Sequence, residues 1–444
     1  MAEETALAEF FEMRPLLAQA ELGTYFIIPL KYEEGALRLD RIARVGKPWS
    51  VDTMDLSEPV KALFHEDGTA AIGGCYEFSR EDLLGALFGK EQSAGMRDFT
   101  VSEKDGKEKL PFSFQTAYLY HFHTQVAFLC LGLCYRDIRV LRWICNMGFA
   151  ERYAVYHYRD ESGMTHDFSL EEVLEAFLRS LGLEGFFAPH SSLLLEAYIS
   201  NVAVVAQRFR SLETIRRSAF NLHLISPLDA LAEDDSEEDV AYVYAVKTQA
   251  LDSYRWGCCI SSQTISYVMA NEDMDIDGEM RAQAKDSLPL LLVALYEKYT
   301  CMRFTQLITA VNQKKMKQLR TLRRMMLEFQ AYGTVDPANI SRWHNVKRIY
   351  QAVIETNRIQ EAVGDISHKL DILIEHQKEI ERTRNDMVAG VITMFGLISI
   401  LASVLTIIQI LSDGSQAVWL ALISSILLLG SMVLIFLFWS RRER

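Results

Sequence analysis

Asp273-Met274-Asp275-Ile276-Asp277-Gly278 sets carboxylates at alternate positions ahead of a glycine, the spacing of the first half of an EF-hand loop. A hard divalent cation needs six or more oxygens, and the twelfth position is Ala284 where a full loop requires a bidentate glutamate. Asp273, Asp275 and Asp277 therefore read either as ligands of a weaker Mg2+ or other divalent-cation site completed between subunits, or as a plain acidic loop. Lys314, Lys315, Lys317, Arg320, Arg323 and Arg324 crowd one stretch of an expected helix. Such a cluster suits an anion, a nucleotide messenger or acidic headgroups, and equally a solvated helix face that balances acidic loops. His121 and His123 alternate on an expected strand, but no third ligand accompanies them and they read as strand residues. The chain has no Gly-rich phosphate loop, no Gly-x-Ser-x-Gly elbow and no His-Glu-x-x-His, so it is not expected to be an enzyme.

The elements that must carry these residues divide the chain. Thr24–Leu30, Ala117–Leu129 and Tyr153–Tyr158 are rich in aromatic and β-branched residues and read as strands. Ser79 ahead of Asp82, and Ser169-Leu170-Glu171-Glu172, read as helix N-caps. An α+β (or α/β) cytoplasmic domain is expected over 1–185, followed by a mostly helical region over 186–340. Within that region Tyr242–Val268 has room for a strand pair, and a long helix from Asp286 to Gln330 holds Pro289 in its first turn. The acidic run 233–239 reads as a linker. Ile359, Val363, Ile366, Leu370, Leu373, Gln377 and Ile380 form a heptad seam that Met387, Val391, Met394, Ile398, Leu401 and Leu405 continue in phase. This predicts a stalk helix over 341–386 continuous with the next segment, about 100 Å long from Ser341 to Leu411. The seam must be buried by self-association around an axis or by an intramolecular coiled coil with the 286–330 helix.

Two uncharged apolar stretches follow, Met387–Leu411 and Ala417–Trp439, joined by Ser412–Gln416. Each exceeds the roughly 20 residues that cross about 30 Å of hydrocarbon, so both read as transmembrane helices, with a short outer loop over 412–416. Arg382 and Arg384 precede the first, and Arg441, Arg442 and Arg444 follow the second, which places both termini in the cytoplasm by the positive-inside bias. The acidic start Met1-Ala2-Glu3-Glu4 does not resemble a signal peptide. The chain carries −13 overall; 382–444 holds five basic and three acidic residues, which leaves −15 upstream and argues against direct nucleic-acid binding. The seven cysteines lack a Cys-x-x-Cys pair and read as reduced core residues.

This organisation resembles the CorA family of magnesium transporters. The likeness is carried by Arg382-Thr383-Arg384-Asn385-Asp386-Met387, similar to the family's Asn-acid-x-Met approach to its pore helix but one residue shorter. It is carried also by Leu292-Val293-Ala294-Leu295-Tyr296-Glu297-Lys298-Tyr299-Thr300, similar to a stalk-flanking helix of divergent relatives. The resemblance spans about 190–444 in organisation. The family's Gly-Met-Asn filter triplet is replaced by Leu411-Ser412-Asp413-Gly414-Ser415. The resemblance implies a homo-oligomer, a pentamer in family members, in the cell (inner) membrane. It implies a pore lined by Asn385, Val388, Val391, Ser399 and Ala402, with Asp413 at the outer mouth. The expected function is ion conduction, of magnesium or another divalent cation, gated through the cytoplasmic domain. The alternatives are a messenger-activated CorA-like effector in phage defence and a non-conducting membrane-anchored sensor.

Overall fold

The computed structural model describes all residues except 1, 54, 65–71, 105, 146–153, 188–191, 232–238, 311–315, 412–418, 420–429 and 431–444. The chain forms two units, Met1–Ile366 and Ser367–Arg444.

The first unit is built on one mixed sheet. Its strands are β1 (Glu21–Lys31), β2 (Lys47–Pro48), β3 (Gly73–Phe78), β4 (Arg97–Glu103), β5 (Leu110–Phe114), β6 (Ala117–Phe122) and β7 (Val126–Tyr135). They continue as β8 (Ala154–Arg159), β9 (Thr165–Phe168), β10 (Glu184–Gly185), β11 (Tyr198–Val205), β12 (Ala241–Tyr244), β13 (Trp256–Ile260) and β14 (Thr264–Ala270). The main order is β12-β13-β14-β11-β1-β7-β5-β4-β8-β9, with β6-β3-β2 branching from β7 and β10 from β1. β1 and β7 form the centre. Every residue of β7 is buried, so its aromatic and aliphatic run Val126–Tyr135 shows none of the alternation of a half-exposed strand. The pair β11 and β14 is parallel, and the chain between them supplies the crossover helix Leu212–His223 before β12 and β13.

Helices cover both faces. Leu22, Phe26, Ile28 and Leu30 of β1 join a core with Phe10 and Leu17 of the helix Ala2–Leu17, Leu83 of Arg80–Phe88, Leu174 of Leu170–Ser180 and Ile215 of Leu212–His223. The intervening residues of β1 point to the other face, where the helix Ile276–Ala310 lies across β1, β7 and β11. Gly23 permits that approach, since a Cβ there would stand 2.5 Å from Met280 Sδ. The helix His344–Thr356 packs on the same helix and on β12 and β13.

Several expectations hold. Ser79 Oγ accepts from Asp82 N at 3.2 Å and Ser169 Oγ from Glu172 N at 3.3 Å, capping the helices that follow. The strand pair within 242–268 is present as β12, β13 and the start of β14, and all seven cysteines are free. Others are corrected. There is no division at 185: β11–β14 complete the sheet, and the region 186–340 is strand-rich to Ala270. Eight consecutive buried residues in β11 gave no period-two signal to read. The long helix starts at Ile276, so Pro289 is interior and leaves the Lys285 carbonyl without its helical donor. His123 lies in the turn after β6, exposed, and does not share a strand face with buried His121. The helix expected from Ser341 to Leu411 is two helices, His344–Thr356 and Ile359–Leu411, parted at Asn357 and Arg358, where Arg358 takes φ 50°.

Candidate functional site

Glu297 and Lys298 are neighbours on the Ile276–Ala310 helix, and both grip the helix His344–Thr356. Glu297 is 5 % exposed, and its Oε1 accepts from Tyr350 Oη at 2.9 Å and from Val335 N at 3.0 Å. No cation pairs with it among the described residues. Burial pushes its carboxyl up to about 7, against the opposing pull of those two hydrogen bonds. Lys298 Nζ donates to Asn357 Oδ1 at 2.7 Å and reaches Ser262 O at 3.5 Å, and burial lowers its pKa. Asn357 Nδ2 in turn donates to Val353 O at 2.9 Å, holding the end of the helix. Arg358 then occupies the left-handed region, which costs a non-glycine residue about 1–2 kcal/mol, and its carbonyl accepts from Ala362 N at 3.2 Å to open the next helix. Buried Ile359 and Ile366 fix the first turns of that helix. A carboxylate, an ammonium and a strained residue thus hold the point from which the terminal helix starts.

That helix, Ile359–Leu411, runs 53 residues, about 80 Å at 1.5 Å per residue. Among the described residues it is the one helix long and apolar enough to cross a membrane: an 18-residue window reaches mean hydropathy 2.5 with none of it buried. Ile392, Phe395, Ile400, Val404 and Ile407 are exposed, and of the seam positions Met387, Val391, Ile398 and Leu405 are half-buried while Met394 and Leu401 are exposed. The hydroxyls of Thr393, Ser403 and Thr406 each donate to the carbonyl four residues earlier at 2.8 Å, so these three donors are satisfied without water. Gly364, Gly390 and Gly396 leave the helix unbroken.

The structure puts Asn385, Val388, Val391, Ser399 and Ala402 on this helix, all exposed but half-buried Val391. Asp413, the outer loop 412–416 and the second stretch 417–439, apart from Trp419 and Gly430, lie outside the described residues. The seam divides: Ile359 and Ile366 are buried in the first unit, Val363 and Leu373 are half-buried, and Ile380 is exposed.

Two of the three aspartates have structural partners. Asp275 caps the Ile276–Ala310 helix, its Oδ1 accepting from Gly278 N at 2.9 Å, and Met274 before it takes φ 51°. Asp277 Oδ1 accepts from Gln115 Nε2 at 3.0 Å, and Asp273 is exposed. Among the described residues no group of three or more His, Cys, Asp or Glu is arranged to hold a metal ion. Of the basic cluster, Lys314 and Lys315 lie outside the described residues, and the backbone alone is described for Lys317 and Arg320. Arg323 and Arg324 are exposed, Arg324 Nε 3.7 Å from Glu328, on a helix whose other face buries Leu322 and Met326.

One constellation escaped the sequence. Ser102 Oγ lies 2.9 Å from His157 Nε2, and His157 Nδ1 lies 2.5 Å from Asp167 Oδ1, across β4, β8 and β9. The bonding order is that of a hydrolase triad, but the exposure is inverted. Ser102 is 3 % exposed in mid-strand, whereas the Asp167 side chain is 70 % exposed. A nucleophile must meet its substrate, and the acid that orients the histidine works best away from water. The relay therefore ties three strands together and offers no accessible nucleophile.

With this geometry in view, comparison with known proteins adds no relative: no family model, no curated protein and no solved structure matches the chain.

Proposed function

We propose that this chain is an oligomeric, ion-conducting membrane protein of the kind the CorA resemblance implies, with the Met1–Ile366 unit as its regulatory part. The observation that carries the reading is the terminal helix, whose apolar face beyond Met387 is long enough to span hydrocarbon and is unburied within its own chain. An exposed apolar surface of that extent needs lipid or further copies of itself to cover it. Copies of the helix around an axis place Val388 and Val391 as an apolar constriction that gates by dewetting, with Asn385 as a polar ring before it. In this arrangement a second span over 417–439 completes a hairpin in the cell (inner) membrane with both termini cytoplasmic. The Asn357–Arg358 junction is where a change in the regulatory unit reaches the conducting helix.

Proteoliposomes carrying the full chain test the proposal. They should pass K+ or Mg2+ down a gradient, and Val388→Asn, which wets the constriction, should raise the flux several-fold. The burial of Ile359 and Ile366 against the chain's own unit favours a second reading, a non-conducting sensor anchored by the same helix. Absence of flux from wild type and Val388→Asn alike would select it.

A further inference from the structure

Lys298 forms part of the wall of a cleft of about 420 Å3 together with Phe187, Glu196, Tyr198, Gln263 and Tyr299. Its ammonium is half-buried and lies 5.7 Å from the centre of the Tyr299 ring. Both oxygens it reaches are neutral, Oδ1 of Asn357 and the carbonyl of Ser262, and among the described residues it forms no ion pair with a carboxylate. Burial lowers its pKa, the mark of a cation partly withdrawn from water. A monoanion in the cleft would pair with this ammonium directly, where its present partners are neutral oxygens. Phe187 and Tyr299 stand edge to face at 6.2 Å and give the cleft an aromatic side. Its volume lies in the range of small-molecule sites, about 300–1,000 Å3. One ammonium on the lining balances one acidic group and so favours a monoanion.

We propose that this cleft binds a small planar aromatic monoanion, with its acidic group on Lys298 and its ring against Tyr299 and Phe187. Binding draws Nζ from Asn357 Oδ1 and so loosens the cap that separates the helices His344–Thr356 and Ile359–Leu411. The site stands on its own geometry and does not require that the chain conduct ions.

Equilibrium dialysis of the full chain in detergent, with empty micelles as blank, tests it using indole-3-acetate and its neutral analogue indole-3-ethanol. The acetate should bind about tenfold or more tightly than the alcohol, the margin a charge-assisted hydrogen bond confers. Lys298→Gln should abolish that preference, and Lys298→Arg, which keeps the charge, should retain it. Equal binding of the two probes to the wild-type chain, or no binding of either, overturns the proposal without recourse to a variant. A preference that survives Lys298→Gln overturns the assignment to that residue. Cleavage by trypsin after exposed Arg358 reads the coupling: indole-3-acetate should accelerate it several-fold, and an unchanged rate overturns the link to Asn357.

Discussion

Replacing Glu297 by glutamine isolates the cost of holding a charge inside the first unit. Burial raises the carboxyl from 4.5 to about 7, so the folded chain keeps this proton over a range in which the unfolded chain has released it. Between those values the folded state binds more protons, and stability falls as pH rises. At about 1.36 kcal/mol per pH unit, the loss is roughly 0.8 kcal/mol at pH 5 and about 3.3 kcal/mol at pH 8. Glu297→Gln removes that dependence, because its amide oxygen still accepts from Tyr350 Oη and Val335 N and carries no charge. Its new NH2 group costs about 1 kcal/mol at either pH where it finds no acceptor. The readout is therefore the difference between the two pH values. Relative to wild type, the variant should gain about 2.5 kcal/mol between pH 5 and pH 8 in guanidinium unfolding of the full chain followed by tryptophan fluorescence. A wild-type-to-variant difference that does not change with pH would refute the claim that Glu297 is ionised at a cost inside the fold.

Further outcomes follow from single contacts. Arg358→Gly should raise stability by up to about 1 kcal/mol in the same unfolding assay, since glycine takes φ 50° without the Cβ clash. Asp275→Ala should cost about 1 kcal/mol by uncapping the Ile276–Ala310 helix, while Asp273→Ala stays within about 0.5 kcal/mol. Both effects should persist in EDTA, and a cost that vanishes in EDTA would restore the metal reading of those aspartates. Ser102→Ala should destabilise by about 1–2 kcal/mol by leaving His157 Nε2 without its partner, with no change in the rate of p-nitrophenyl acetate hydrolysis. A fall in that rate would make the relay catalytic.

What the sequence disclosed depended on whether a signal was local. The caps at Ser79 and Ser169 are written in adjacent residues, and both appear as expected. The apolar, charge-free run after Met387 is equally direct, because composition alone sets what a bilayer accepts. The sheet was half legible. β1, β6 and β8 show as aromatic, β-branched runs, but β11 is buried on both faces and carries no alternation, so the sequence marks no strand directly beyond 185 that would extend the domain. The helix junction was hidden for another reason. Neither proline nor glycine marks Asn357-Arg358; the break is imposed by partners distant in sequence, Lys298 on Asn357 and the burial of Ile359. Glu297 and Lys298 did carry a signal, a charged pair inside the apolar run Leu292–Thr300, which marks groups whose burial requires an explanation. The relay of Ser102, His157 and Asp167 joins three strands through register, and no spacing in the sequence encodes it.

The central claim is that the helix beyond Met387 crosses the bilayer and that copies of it enclose a passage. Electron-microscopic imaging of the full chain in lipid nanodiscs tests this most directly. The account predicts a closed ring of subunits with the Met387–Leu411 segments spanning the disc and Val388 and Val391 turned toward the symmetry axis. A monomer, or a ring whose Met387–Leu411 segments lie outside the lipid or face away from the axis, would contradict it.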